Sequence, residues 1–385
     1  MSRPSGPLVA ADETLYHQIV DTFGTVSQSD PSWTEKVWTI GHARDGALQI
    51  VFGLGKYTNR GVLEMSAGVS RGTDQWTVRA TRPLWPDPDR MAAGPMRYEI
   101  VEPLHRVRCV LEPSEHAEIA FDATWIGSYE ASLEEPWPDR SSDLARVSHD
   151  ILRYHQLGAL EGWVEVEGER FDISQDRWIS VRDHSWGLRP GIGKPVSGLR
   201  PSQYPERSVL TWMPALMERA DGSRYSLFVF IDEKDFGGTT ELRVQAEAQF
   251  EGGGSRRFAG AAQDLSFEDA NRRFAGGTIT LLESDGGTRP LALKPVGPTG
   301  FHLGTAGYFG WDGRRPGMFT REEIVSGEKL SGLDQPELAR KAHQLRDLLV
   351  YVEDPVFGGT GLGNIETIVL GSFPDKGLTA ENSFL

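Results

Sequence analysis

The 385-residue sequence has one cysteine, little helical periodicity, and an excess of acid over base. A lone Cys109 can form neither an intrachain disulfide nor a thiolate metal cluster. Within the alternating run Arg106-Val107-Arg108-Cys109-Val110-Leu111 it reads as a small buried hydrophobe. The nine histidines include no pair at i, i+4, and neither HExxH nor CxxC occurs, so no metal is expected. The absence of a GxSxG elbow removes the usual signature of a serine nucleophile. With 40 Lys and Arg against 55 Asp and Glu, the net charge is -15, which argues against binding nucleic acid or anionic lipid. No window approaches the ~20 apolar residues of a membrane helix, and no apolar signal follows Met1-Ser2-Arg3-Pro4, so cytoplasmic residence is the expectation.

Glycine is abundant, but its clusters fit no nucleotide loop. Gly358-Gly359-Thr360-Gly361-Leu362-Gly363-Asn364 lacks the strand and helix context of a dinucleotide fingerprint and reads as a tight strand connection. In Gly191-Ile192-Gly193-Lys194-Pro195 a proline stands where a phosphate loop needs a hydroxyl and a continuing helix. No cofactor is expected.

Short alternating runs punctuated by Gly, Pro and Asp dominate, from Leu48-Gln49-Ile50-Val51-Phe52 to Leu242-Arg243-Val244-Gln245-Ala246. Helical patterns are few: Asp12 could cap a helix bearing Leu15, Ile19 and Phe23, and Asp334 with Pro336 could start another through Leu338 and Ala342. The expected fold is all-β, two antiparallel barrel or sandwich domains with a few short helices. The Gly- and Pro-rich stretch 191–207 reads as a linker, giving domains at 1–190 and 208–385. The 11 tryptophans, several at inward strand positions, suit a wide aromatic cavity.

The densest chemistry lies in Arg182-Asp183-His184-Ser185-Trp186-Gly187-Leu188-Arg189, directly after the strand-like run Arg177-Trp178-Ile179-Ser180-Val181. Side chains alternate along an extended chain, so Arg182, His184 and Trp186 share one face while Asp183 and Ser185 share the other. An unperturbed imidazole titrates near ~6.5, so the residue type at His184 suits moving a proton at neutral pH, and Trp186 could stabilise a cation. Asp183 would orient the imidazole or anchor the motif. Nearby in sequence, Tyr154, Gln156 and Trp163 could reach the same wall and bind substrate, with Trp212 joining from the second half. A plainer reading has Arg182, Asp183 and Arg189 as an ion-pair latch between domains, with His184 and Trp186 merely packed. The turn Gly307-Tyr308-Phe309-Gly310-Trp311 is a secondary candidate.

With Gln156-x-Gly158, the hairpin Gly162-Trp163-Val164-Glu165-Val166-Glu167-Gly168 and Arg182-Asp183-His184-Ser185-Trp186-Gly187 in view, the chain resembles the two-domain lipocalin-like superfamily. That superfamily includes carotenoid hydratases (hydroxyneurosporene synthases), AttH-like proteins and, more remotely, tocopherol cyclases and fungal Diels-Alderases. The resemblance implies two lipocalin-like β domains with a hydrophobic substrate between them. It also implies cofactor-free chemistry, such as hydrating or cyclising an isoprenoid or polyketide double bond. In the hydratases the His and Trp of this motif, matched here by His184 and Trp186, work with a Tyr-x-Asp element of the second domain. The corresponding region here reads Leu210-Thr211-Trp212-Met213-Pro214, without an aspartate. The expectation is a cofactor-independent lyase or isomerase acting on an apolar isoprenoid-like or aromatic molecule, with His184, Trp186 and Asp183 catalytic. The alternatives are a non-catalytic carrier of a lipophile and, if the cleft is closed and charged, an interaction module.

Overall fold

The computed structural model describes residues 8–140, 146–194, 196–199 and 204–379. Its first strands form a meander of β1 (Trp33–Ala43), β2 (Gln49–Tyr57), β3 (Val62–Arg71) and β4 (Asp74–Pro83). A short β5 (Ala92–Ala93) leads to β6 (Met96–Glu102), β7 (Arg106–Leu111) and β8 (Ile119–Gly127). Two-residue strands β9 (Ser132–Leu133) and β10 (Asp139–Arg140) precede β11 (Val147–Val166), β12 (Glu169–Ile173) and β13 (Trp178–Leu188). The second half supplies β14 (Arg207–Arg219), β15 (Arg224–Asp235), β16 (Thr240–Phe250) and β17 (Ser255–Arg257). Then come β18 (Gly260–Phe267), β19 (Phe274–Leu282), β20 (Thr288–His302), β21 (Ile324–Leu330), β22 (Arg346–Asp354) and β23 (Gly359–Leu370).

These strands form two curled antiparallel sheets, one of 14 strands and one of nine, so the all-β expectation holds. In the first, the order along the main path is β21-β4-β3-β2-β1-β13-β11-β8-β7-β6-β5. In the second it is β17-β16-β15-β14-β23-β22-β20-β19-β18. Each sheet wraps its own apolar core, one containing Val37, Phe52, Phe121 and Trp125, the other Met213, Tyr225, Phe274 and Val350. Alternation then leaves a second apolar face on each, and these faces meet: Trp38, Ile40, Leu157 and Val181 pack on Trp212, Phe228, Phe301 and Leu303.

The boundary between sheets does not follow the stretch 191–207, of which Pro195 and residues 200–203 lie outside the described residues. Ile192 is buried with Tyr57 and Val62 of the first sheet. Strand β21, from the second half, pairs antiparallel with β4 and covers an edge that would otherwise expose unpaired backbone groups. The segment 208–385 is therefore not self-contained. Near the N-terminus only a 3-10 turn, Ala10–Glu13, forms where a helix was expected; Leu15 is 99% exposed and no face of that segment is buried. The second expected helix is present but short, Pro336–Lys341, with the proline in its first turn. Of the glycine run, Gly358 ends the tight turn joining β22 to β23, at a φ of +72°, while Gly359, Gly361 and Gly363 lie in β23: a Cβ at Gly361 would collide with the backbone oxygen of Leu216 on β14, so glycine permits the close pairing. No helix among the described residues is long and apolar enough to cross a membrane.

The sheet junction also holds polar contacts that must be satisfied. Trp38 Nε1 donates to Asp347 Oδ2 at 2.9 Å, Asn364 Nδ2 donates to Asp347 Oδ1 at 2.9 Å, and His42 Nε2 lies 2.8 Å from Asn364 Oδ1. Because Asp347 is fully buried, Trp38→Phe should remove a needed donor and destabilise the fold by about 1–3 kcal/mol. Urea unfolding checks this; a loss within error would mean the contact contributes nothing.

Candidate active site

Strand β13 lies between β1 and β11, and the register places its motif residues in rows. Lys36, Ser185 and Arg153 form one row, and Trp38, Asp183 and His155 the next. Their side chains share the face turned toward the second sheet. The intervening residues give Val37, His184 and Tyr154, then Thr39, Arg182 and Gln156, on the opposite face, which curls around the first core. Gly187 sits where β11 approaches so closely that a Cβ would strike Asp150 O, at a φ of +133°.

On the face between sheets, Lys36, Arg153, Asp183, Ser185 and Arg189 line a cavity with Tyr57 and Glu64 of the first sheet. Glu366 of β23 and Tyr308 of the 303–319 segment close it from the other side. Its water-accessible volume is about 60 Å³, narrower and far more charged than the aromatic cavity expected from the sequence. Burial pushes the Asp183 carboxyl up to about 6, although Arg153 and Arg189 pull the other way. Burial and the neighbouring Asp347 push Glu366 well above the carboxylate range; the two acids hydrogen-bond and act as a pair holding a proton. Lys36 is driven down to about 7 by burial and by Arg189. Carboxyls in different protonation states therefore share one cavity with an amine poised to lose its proton.

The two arginines of the motif do not form the expected ion pairs. Arg182 sends Nε and Nη2 to Gln156 Oε1 at 2.8 and 2.6 Å, while Arg189 donates to Tyr308 OH at 2.8 Å and Ser185 Oγ at 3.0 Å. Neither has a carboxylate within 4.0 Å among the described residues, because the acids nearest in sequence point elsewhere or belong to Arg153. Arg153 binds Glu134 through Nε at 2.7 Å, and Glu134 Oε1 also accepts from Trp212 Nε1 at 3.0 Å. That contact is the latch between sheets. Burial alone would raise Glu134, but Arg153 and His155 outweigh it and hold the carboxylate at about 2.

On the far face His184 is held between two partners, Glu35 Oε1 at 2.8 Å from Nε2 and Tyr154 OH at 3.2 Å from Nδ1, with Trp186 edge-on at 5.6 Å between ring centroids. His184 and Asp183, adjacent in sequence, thus face different spaces. Gln156 is consumed by structure: besides accepting from Arg182, it donates to Leu104 O and Tyr129 O at 2.7 and 2.8 Å. Trp163 lies nine residues along β11 from Tyr154, opposite Asp172 and under Arg170, too distant to share a site with it. Trp212 is buried in the contact between sheets and does not line the cavity.

Several lining residues escaped sequence reading. Lys36, Glu64 and Glu366 come from separate strands, and the second-domain acids sit on β22 and β23 rather than at 210–214. A signal existed: Asp347 directly precedes the apolar run Leu348-Leu349-Val350, and Glu366 stands between Ile365 and Thr367-Ile368. A larger groove of about 1450 Å³ opens elsewhere between the sheets, but its charged residues, among them Arg44, Asp176, Glu218 and Arg224, are exposed. No group of three or more His, Cys, Asp or Glu among the described residues is placed to hold a metal.

A model of a family of unknown function, DUF8625, matches residues 8–379. The chain belongs to this family. No curated protein matches the DUF8625 chain. Among solved structures, the AttH protein of Nitrosomonas europaea aligns at a TM-score of 0.51 and 11% identity, over 87% of this chain and 92% of that one. Kievitone hydratase of Nectria haematococca aligns at 0.41 and 10% identity, covering 88% and 90%, and CghA at 0.45 and 10%, covering 89% of each. At 11% identity the likeness to AttH is one of fold, and the two-domain lipocalin-like architecture inferred from the sequence is the one this DUF8625 member adopts.

The Glu134 latch makes a prediction about acid stability. A carboxyl held at about 2 against an ordinary 4.5 stabilises the fold fully above pH 4.5, and that contribution fades as pH falls toward 2. At about 1.4 kcal/mol per pH unit it amounts to roughly 3 kcal/mol. Glu134→Gln should therefore lower stability at pH 7 and flatten its decline between those limits. Urea midpoints across pH test this; an unchanged slope would overturn it.

Proposed function

We propose that this protein is a cofactor-independent lyase or isomerase whose active site is the cavity between the sheets. The substrate is an unsaturated small molecule, aromatic or isoprenoid in type, whose oxygen-bearing end enters the cavity. Supporting this reading above all is the meeting of Asp183 from one sheet and Glu366 from the other in one cavity, with burial separating their protonation behaviour. Asp183, ionised above pH about 6, takes a proton from carbon. Glu366, kept protonated, gives one to a leaving hydroxyl or to the far end of a double bond. Arg189 and Lys36 hold the oxygen function, while the walls of Trp38, Tyr57 and Tyr308 exclude water.

His184 and Trp186, the residues singled out by the sequence, fit a supporting role here. They face away from the cavity and fix the strand that carries Asp183 through Glu35 and Tyr154. The charged lining favours turnover over passive carriage of a lipophile.

The test is deuterium incorporation from heavy water into a panel of small enones, allylic alcohols and β-hydroxy carbonyl compounds, followed by mass spectrometry. Asp183→Asn should reduce incorporation at least 100-fold, within the range of lost proton-transfer catalysis, whereas His184→Ala should cost less than about tenfold. The wild-type rate should rise with pH around 6, where Asp183 ionises, and that limb should vanish in Asp183→Asn. The reverse ranking of the two variants would sink the assignment, and tight binding without exchange would favour the carrier.

A further inference from the structure

Resting on that reading of the cavity, we propose that Lys36 is a covalent group, forming an imine with a 2-oxo acid group at the oxygen-bearing end of the substrate, whose carboxylate is bound by Arg189. Lys36 reaches the cavity from β1 and makes no carboxylate contact within 4.0 Å among the described residues. Its Nζ instead lies 4.1 Å from the centroid of the Tyr308 ring. A lysine placed beside another cation and away from bulk water favours its neutral, nucleophilic form. Arg189 supplies that cation. Its guanidinium is spent on neutral hydroxyls, Tyr308 and Ser185, and its buried Nε has no hydrogen-bond partner. A cation so placed, with an unmet donor, suits an incoming carboxylate. At roughly 10–15 Å³ per water-sized sphere, about 60 Å³ holds a handful of heavy atoms, the scale of the 2-oxo acid end of a substrate whose apolar body stays outside.

The chemistry closes with groups on the cavity wall. The Nζ lone pair attacks the carbonyl carbon, forming the C–N bond as the C=O π pair moves to oxygen, which takes a proton from Glu366. Asp183 removes one proton from the nitrogen. Protonation of the carbinolamine hydroxyl, by the proton Asp183 has gained, lets water leave as the nitrogen lone pair completes C=N. Amine, carbonyl and the Glu366 proton give a protonated imine and water, leaving Asp183 a carboxylate again and Glu366 ionised until the imine nitrogen returns a proton to it, with no oxidant or reductant. The imine would then acidify the adjacent C–H that Asp183 is placed to remove.

Full-length protein incubated with pyruvate and cyanoborohydride tests this, because hydride delivery to an imine leaves a stable secondary amine. Peptide mapping should find the adduct at Lys36 at least tenfold above each of the seven other lysines. Labelling should be half-maximal near pH 7 rather than at ordinary lysine values, under the combined influence of Arg189, Glu64, Asp183 and Tyr308. Lys36→Met should abolish it, and Arg189→Gln should weaken labelling by pyruvate more than labelling by acetaldehyde. Mapping of the wild-type protein decides the matter even where a variant misfolds. Uniform surface labelling, or Lys36 labelling that ignores Arg189, overturns the proposal. If deuterium exchange sensitive to Asp183→Asn persists without a Lys36 adduct, only the imine fails; if both are absent, the cavity reading falls as well.

Discussion

A β-strand can show neighbouring residues only to opposite faces, and in this protein that constraint acts on β13. Because β13 is an inner strand, paired with β1 on one side and β11 on the other, both of its faces are committed. One curls over the first core, and the other meets the second sheet. Asp183 and His184 therefore belong to different environments despite the peptide bond between them. The cavity, the latch at Glu134 and the aromatic clamp around His184 all take their places from this alternation.

The junction of the two sheets is energetically unusual. Its apolar contacts, Trp38 and Ile40 against Trp212 and Phe301, bind the sheets in the ordinary way. Threaded through them are groups that water would solvate better, including Asp347, Asn364, Glu134 and Arg153. Pairing offsets much of the desolvation at Glu134, where the Arg153 guanidinium, the His155 ring and an indole donor converge. It does so less at Asp347 and Glu366, whose mutual repulsion is relieved by retaining a proton. A protein built only for stability would do better with apolar side chains there, which is why a reactive role for that pair is a reasonable inference.

Much of the fold was legible in the sequence. Period-two runs and frequent turn signals point to the all-β class, and the Glu167-Gly168 turn joins β11 to β12 as expected, with φ of 51° and 79°. Alternation also sorted Asp183 from His184 correctly. What could not be read was which face would meet the second sheet, since each face carries both buried apolar and polar residues, Trp178 with His184 on one and Val181 with Asp183 on the other. Trp163 and Trp212 looked like ligand residues because an indole suits both a cavity and a packed junction, and spacing cannot separate the two. The expected helix after Asp12 failed because a short amphipathic segment with nothing to pack against does not hold its hydrogen bonds.

The sequence by itself determined the class of fold, the hairpin through Glu167-Gly168 and the pairing of unlike chemistry on the two faces of the Asp-His-x-Trp segment. These are local properties, set by backbone geometry and the period of the pattern. Only the tertiary structure decided that Lys36, Asp183, Arg189 and Glu366 would share a cavity, because they come from three strands and a strand end spread over 331 residues of chain, from 36 to 366 counted inclusively. Their titration depends on burial and on each other's charge, quantities that exist only once the sheets have closed.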